Sequence, residues 1–245
     1  MRIRWKDCIA SARFGVLTLL IGSPLRLPSQ ELVDVTAHIV WPAADRHREK
    51  LERALPPAAF WLTPRQANPA PDAANGRSYT LLQKNKQFLP HLLIVPVGSV
   101  VHFPNADPFF HNVFSLFDGR RFDLGLYEAG STREVTFGRE GISYIFCNIH
   151  PEMSAVVIAL STPYYAVGDT QGHFRIRGVP ADDYVLHVWV QGEDEAALKT
   201  LARNVHVGKD HADLGVITLP HSPHPVGSHE NKYGNEYDTR ESPVY

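Results

Sequence analysis

The sequence predicts an all-β chain built as two small β-sandwiches, and three observations carry that prediction. The 245 residues include 19 prolines and 17 glycines, a composition that favours short strands and turns over long helices. The stretch from Tyr79 to Leu160 reads as seven closely spaced β-like runs with no helical period, the pattern of a small sandwich. A second strand-rich pattern begins after Pro163.

Taken in order, the N-terminus is basic at Arg2, Arg4, Lys6 and Arg13, with an apolar run from Phe14 to Gly22 and a polar, proline-containing stretch behind it. That is the shape of an export signal over residues 1–24, and the run is too short to span a bilayer well. No clean small-residue cleavage motif follows, so an uncleaved anchor and an ordinary N-terminal segment remain alternatives. Cys8 precedes the apolar run and is not placed as a lipid-bearing cysteine. The expectation is an exported, periplasmic protein that touches a membrane only if the leader is kept.

Glu31–Trp41 (ELVDVTAHIVW) alternates like a strand, and Ala58–Leu62 reads as a second one. Asp45–Leu55 is charged and fits a short helix or an extended loop, while Gln66–Arg77 is a linker by composition. The runs of the middle region are SYTLLQ, HLLIVPVGSVVHFPN, HNVFSLF, FDLGLY, TREVTF, GISYIFC and SAVVIAL. Turns fall at Val97-Gly98, Asp118-Gly119, Ala129-Gly130 and Glu140-Gly141. Beyond Pro163, AVGDTQGHFRIRGVPADDYVLHVWV reads as a hairpin joined by a Gly-Val-Pro turn. Asp194–Leu201 reads as a helical turn or two, and NVHVGKDHADLGVITL as two strands around Gly208–Asp210. Residues 220–245 are polar and aperiodic, which predicts a disordered tail.

The 24 basic and 26 acidic side chains leave a net charge of -2, and no basic cluster alternates with aromatics, so nucleic acid is not an expected partner. Enzyme classes are set aside on motifs. The chain lacks the paired His-x-His and His-Cys-His segments of a multicopper oxidase, the two cysteines of a dinuclear copper site, a G-x-S-x-G nucleophile turn and an H-x-x-E zinc motif.

The chemistry concentrates in CNIHPEM, residues 147–153. With the leader removed, Cys147 is the sole cysteine and forms no internal disulfide, and a lone thiol in an oxidising compartment is a liability unless something occupies it. A buried, inert cysteine is one reading and a metal ligand the other. The neighbours favour the ligand: Cys147, His150 and Met153 follow C-x2-H-x2-M, and soft thiolate and thioether with borderline imidazole suit copper. A second histidine is required from elsewhere, and His111, opening the HNVFSLF run, is the candidate. Two histidines and a cysteine in a trigonal plane with a long axial methionine let copper change oxidation state with little ligand movement.

On these residues the region 78–161 resembles a cupredoxin, the Greek-key blue-copper sandwich of plastocyanin, azurin and amicyanin. The methionine spacing is similar to the short ligand loop of amicyanin. The resemblance implies one type 1 copper held by His111, Cys147, His150 and Met153, with Asn112 tying its loop to the cysteine loop. It also implies that His150 lies near the surface in an apolar patch, here supplied by Phe109, Phe110, Pro151 and Met153, and that the partner is a periplasmic redox protein. His91 and His102 sit inside strands and are expected to be packed or surface side chains. The tail histidines His221, His224 and His229 are expected to be solvated, with weak metal collection as the alternative.

Residues 163–219 resemble a carboxypeptidase regulatory-like, transthyretin-like sandwich through DTQGHFRIRGVPADDYVLHV, with Asp182-Asp183 where that family has Pro-Gly or Gly before the tyrosine. That sandwich begins with two strands which Glu31–Pro64 are expected to supply, making 31–64 with 163–219 a discontinuous domain into which 78–161 is inserted. The whole is similar to bacterial methylamine-utilisation or plastocyanin-like proteins. The expected function is single-electron transfer without catalysis. Copper storage or delivery is the alternative, and an assembly module with structural copper is a third.

Overall fold

A computed structural model describes residues 31–42, 55–66, 77–116, 119–221 and 229–237. The expected export signal, nearly all of the charged segment 45–55 and most of the linker lie outside the described residues. Among the described residues no helix is long and apolar enough to cross a membrane.

The chain opens with β1 (Leu32–Val40) and β2 (Ala58–Pro64). Ten strands follow: β3 (Ser78–Thr80), β4 (Leu82–Lys84), β5 (Gln87–Leu89), β6 (Leu92–Pro96), β7 (Ser99–Pro104), β8 (His111–Ser115), β9 (Phe122–Tyr127), β10 (Thr132–Phe137), β11 (Gly141–Cys147) and β12 (Ser154–Leu160). The last part holds β13 (Tyr165–Val167), β14 (His173–Pro180), β15 (Asp182–Val190), helix α1 (Glu195–Thr200), β16 (Arg203–Val207) and β17 (Asp213–Thr218). The protein is therefore all-β. The short helix falls in the Asp194–Leu201 stretch, where Asp194 caps it by accepting from the Ala196 and Ala197 N–H groups.

Seven sequence runs become ten strands for three physical reasons. HLLIVPVGSVVHFPN divides at its Val97-Gly98 turn into β6 and β7. SYTLLQ bends at the buried Leu81, so that Ser78–Thr80 pairs with β7 while Leu82–Lys84 pairs with β5. The β4–β5 turn is Asn85-Lys86, both at positive φ of 56° and 58°, the geometry of a two-residue hairpin turn. Its polar sequence shows no hydrophobic alternation from which a strand is read.

In the middle region the sheet β6-β12-β11-β8-β9 faces the sheet β10-β7-β3. Val101, Phe103, Val113, Tyr127, Phe137, Ile145 and Val157 fill the space between them. In the outer region β1 is the central strand of β14-β1-β17, and β2 is an inner strand of β13-β2-β15-β16. Strands β1 and β2 thus pair with strands that follow residue 163: Ala37 lies opposite Phe174, and Leu62 opposite Leu186. Gly172 sits where the β13–β14 connection meets β1. Its carbonyl accepts from Ile39 N–H at 2.8 Å, and a Cβ there would lie 2.4 Å from the Ile39 carbonyl oxygen.

Strand β12 joins the two regions. Ala155, Val157 and Ala159 face the middle core, while Val156, Ile158 and Leu160 pack with Phe60, Leu62, Val188 and Trp189 in the outer core. A strand buried on both faces must be apolar throughout rather than alternating, which is why SAVVIAL carries no polar residue after Ser154. Two polar contacts stitch the same seam, His91 Nε2 to Gln191 Oε1 at 2.8 Å and Trp189 Nε1–H to Tyr144 Oη at 3.3 Å.

The tail expectation needs correction over residues 229–237, which pack against the loop between β11 and β12: His229 N–H donates to the Pro151 carbonyl at 3.1 Å. These contacts are backbone and side-chain hydrogen bonds from an aperiodic segment, so hydropathy patterning carries no trace of them.

Two predictions follow from this packing. Ile158→Ala should destabilise the protein by about 3 kcal/mol, the usual cost of a buried large-to-small change. Tryptophan fluorescence and Cys147 thiol exposure should report one shared transition in urea, and two separate transitions would contradict the joint core. The half-buried His187 stacks on Trp61 with ring centroids 5.2 Å apart, and burial lowers its pKa against an opposing pull from Glu140. The unfolded chain therefore binds a proton first, so this contribution to stability is complete above about pH 6.5 and is lost as pH falls toward the lowered folded value. His187→Gln should flatten the urea midpoint over that acidic window.

Candidate metal centre

His111 is the first residue of β8 and Cys147 the last of β11. The two strands are antiparallel neighbours, with Cys147 opposite Val113, so both side chains arrive at the same end of the sheet. His150 and Met153 lie on the loop that returns from β11 to β12. Met153 N–H donates to the His150 carbonyl at 3.0 Å and Cys147 N–H to the Met153 carbonyl at 3.1 Å, closing the loop into a tight turn. Asn148 N–H donates to the Asn112 carbonyl at 2.8 Å, fastening the loop to β8.

The result is one cluster. Cys147 Sγ lies 3.5 Å from His111 Nδ1 and 3.5 Å from His150 Nδ1, and the three ligand atoms all fall within 4.8 Å of one another. Relative exposure is 0% for His111 and Cys147 and 7% for His150. Met153 is also enclosed, at 1%. Among the described residues no other group of three or more His, Cys, Asp or Glu side chains is so arranged.

The surroundings set each donor's protonation. Burial lowers the His150 pKa to about 4, helped by the charges of His111 and Lys86, so the imidazole is neutral at ordinary pH. Burial also lowers the His111 pKa, with Asp107 opposing it. The Cys147 thiol is pushed up by burial, while the backbone N–H groups of Asn112, Ile149 and His150 pull the other way. Those N–H groups favour a sulfur anion, and a cation bound at the sulfur would complete what they begin.

Asp107 is the functional residue that pattern reading missed. Its Oδ2 lies 2.9 Å from His111 Nε2 in a buried pair. The carboxylate fixes the proton on Nε2 and leaves the Nδ1 lone pair facing Cys147, the usual outer support of a ligating histidine. Asp107 is held in turn by the β4–β5 turn, whose Asn85 and Lys86 N–H groups donate to its carboxylate at 2.6 and 3.0 Å. Burial raises the Asp107 pKa, but the Lys86 N–H, His111 and Asn85 N–H hydrogen bonds outweigh it and keep the carboxylate ionised. The signal in the sequence is slight: an acid four positions before His111 in NADPFFH.

The tie that Asn112 makes to the cysteine loop runs through its backbone carbonyl, which accepts from Asn148 N–H, while its side chain donates to Asp123 Oδ1 at 2.7 Å on β9. Successive strand residues face opposite sides, so with His111 turned into the pocket the Asn112 side chain points away from it. One expectation is corrected: Met153 is buried, at 1% exposure, and takes no part in a surface patch. Phe109 lies against both imidazoles, edge-on to His111 at 5.4 Å and tilted to His150 at 5.6 Å between ring centroids, and Phe110 is 50% exposed.

The remaining histidines lie elsewhere. His91 bonds Gln191, His102 faces Glu134 at 3.5 Å and His221 faces Glu193 at 3.4 Å. His229 packs on Phe146 with centroids 4.4 Å apart rather than standing in solvent, and His224 lies outside the described residues.

No family model and no curated protein matches the chain. Solved structures do. A copper-containing nitrite reductase (NirK) from Thermus scotoductus SA-01 aligns at TM-score 0.33 and 24% identity over 34% of this chain, which spans only 22% of that chain. A purple cupredoxin from Nitrosopumilus maritimus aligns at TM-score 0.31 and 24% identity, covering 34% of this chain and 99% of that one. A reduced amicyanin variant aligns at TM-score 0.32 and 22% identity, covering 41% and 99%.

Asp107→Ala would strand the His111 Nε2–H and two turn N–H groups. The expected cost is about 2 kcal/mol in urea unfolding, from buried donors left unpaired, and Asp107→Asn should recover part of it. A stability unchanged by either substitution would show that Asp107 does not hold His111.

Proposed function

We propose that the protein is an exported, periplasmic electron carrier with one type 1 copper held by His111, Cys147, His150 and Met153. In this reading 78–161 is a cupredoxin module, carried by a regulatory-like sandwich formed from 31–64 with 163–219. The observation that carries the proposal is the convergence of one thiol sulfur and two neutral-imidazole Nδ1 atoms within 4.8 Å in a buried pocket. This donor set fits copper better than a hard cation, because thiolate and imidazole select soft and borderline metals.

When bound, copper supplies a one-electron couple. The chain supplies the rest. Asp107 holds His111 in one tautomer and one orientation, and the strand end fixes Cys147. The two loop hydrogen bonds set His150 relative to both, and burial excludes water from the ligand atoms. Ligands held this firmly would need to move little if a bound copper changed oxidation state. Phe109, with its ring 5.6 Å from that of His150, and the exposed Phe110 next to it in the chain would give a redox protein an apolar surface on which to dock, and no substrate turnover is part of this role. A membrane enters only if the leader is retained.

Copper storage or delivery is a second reading, favoured by the near-complete enclosure of His150, at 7% exposure. The two part company on rates: a carrier exchanges electrons quickly and retains its metal, whereas a handler releases it to an acceptor.

The test is an absorption and electron spin resonance spectrum of the protein with one equivalent of Cu(II), beside Cys147→Ser. The expected result is an intense visible band and narrow copper hyperfine splitting, both lost in the mutant. A pale spectrum indifferent to Cys147 would refute the copper–thiolate site.

A further inference from the structure

Residues 229–237 cross the outside of the ligand loop and grip it at three places. His229 N–H donates to the Pro151 carbonyl at 3.1 Å. Lys232 N–H donates to Asn148 Oδ1 at 2.8 Å. Tyr237 donates its hydroxyl to the carbonyl of Cys147 itself, at 2.9 Å. The Lys232 side chain also reaches β9, where Nζ lies 2.7 Å from Asp123 Oδ2. The other oxygen of Asp123 accepts from Asn112, the neighbour of His111. Lys232 therefore holds the cysteine loop with its backbone and the His111 strand, through Asp123 and Asn112, with its side chain. The His229 ring seats the segment, tilted against Phe146 at 4.4 Å and edge-on to Tyr237 at 5.5 Å between ring centroids.

We infer that this C-terminal segment is an outer clamp of the metal pocket, with Tyr237 and Lys232 as positioning residues that fix Cys147 and couple its loop to the His111 strand. The inference rests on the copper reading for its consequence and on the hydrogen bonds above for its geometry. Loss of outer contacts that orient metal ligands typically weakens binding by about 10- to 100-fold. The clamp reaches the cysteine through its carbonyl and leaves the sulfur to the metal, so it changes how firmly the ligand is held without replacing a ligand.

The experiment compares the full chain, a variant ending at residue 228, and Tyr237→Phe. In the metal-free proteins, hydrogen exchange of the amides in 147–153 should be roughly tenfold faster in the truncated form, with a smaller change for Tyr237→Phe. With Cu(II) added, release to a chelator should accelerate by about tenfold in the truncated form, and the sulfur-to-copper band should shift in both variants. A purely structural tail would leave that band in place. Unchanged exchange, release and spectrum in Tyr237→Phe would overturn the clamp, whether or not the truncated chain folds. Faster loop exchange in a protein that shows no thiolate band would support the clamp and refute the copper site, so the two readings fail separately.

Discussion

Everything else in the molecule hangs on a strand with no solvent face. Ser154–Leu160 buries alternate residues in two different cores, and it is also the strand onto which the ligand loop returns. The middle sheet is consequently covered on one side by its own partner sheet and on the other by the β2–β15 sheet. Neither core is complete without β12. A substitution there is felt in both cores, because interiors packed at crystal-like density transmit a local misfit.

The pocket is assembled by backbone geometry before any metal chemistry begins. Adjacent strands bring His111 and Cys147 to one end of the sheet, and the six-residue loop 148–153 brings His150 back beside the sulfur. The polarity of the surroundings is graded. Nearest the sulfur are backbone N–H groups, behind His111 a single carboxylate, and beyond that a hairpin turn whose two donors keep the carboxylate charged. Each layer fixes the one inside it, so that the donor atoms are preorganised at little further cost in side-chain entropy. The fold and the site are thus one construction, since the β4–β5 turn acts on His111 through Asp107.

Much of this was legible in the sequence. The strands between Tyr79 and Leu160 announce themselves by short β-rich runs between turn residues. Cys147, His150 and Met153 stand out because a cysteine, a histidine three residues on and a soft thioether three beyond it form an improbable set unless they share a metal ion, and His111 follows as the second imidazole such a site needs. What escaped reading depended on contacts rather than pattern. Asp107 looks like any loop acid until the hairpin turn lies beside it. That Asn112 meets the cysteine loop through its backbone and Asp123 through its side chain is a matter of strand alternation around His111, which the residue's identity does not carry. The segment 229–237 is polar and aperiodic, yet it docks by hydrogen bonds and two aromatic rings, and neither hydropathy nor period measures those.

The pairing of Leu32 with Pro180 has a consequence in time. As the chain emerges from its N-terminal end, β1 and β2 have no partner until the middle sandwich has been made, and that sandwich exposes the apolar outer face of β12 until β15 arrives. Long-range pairings of this kind close late, because the loop entropy must be met before any contact rewards it. The middle region must therefore wait with a greasy flank, and the ligand loop must wait longer still for Tyr237. The loop 148–153 is thus the last part of the pocket to be tied down, since its outer contacts come from residues 229–237.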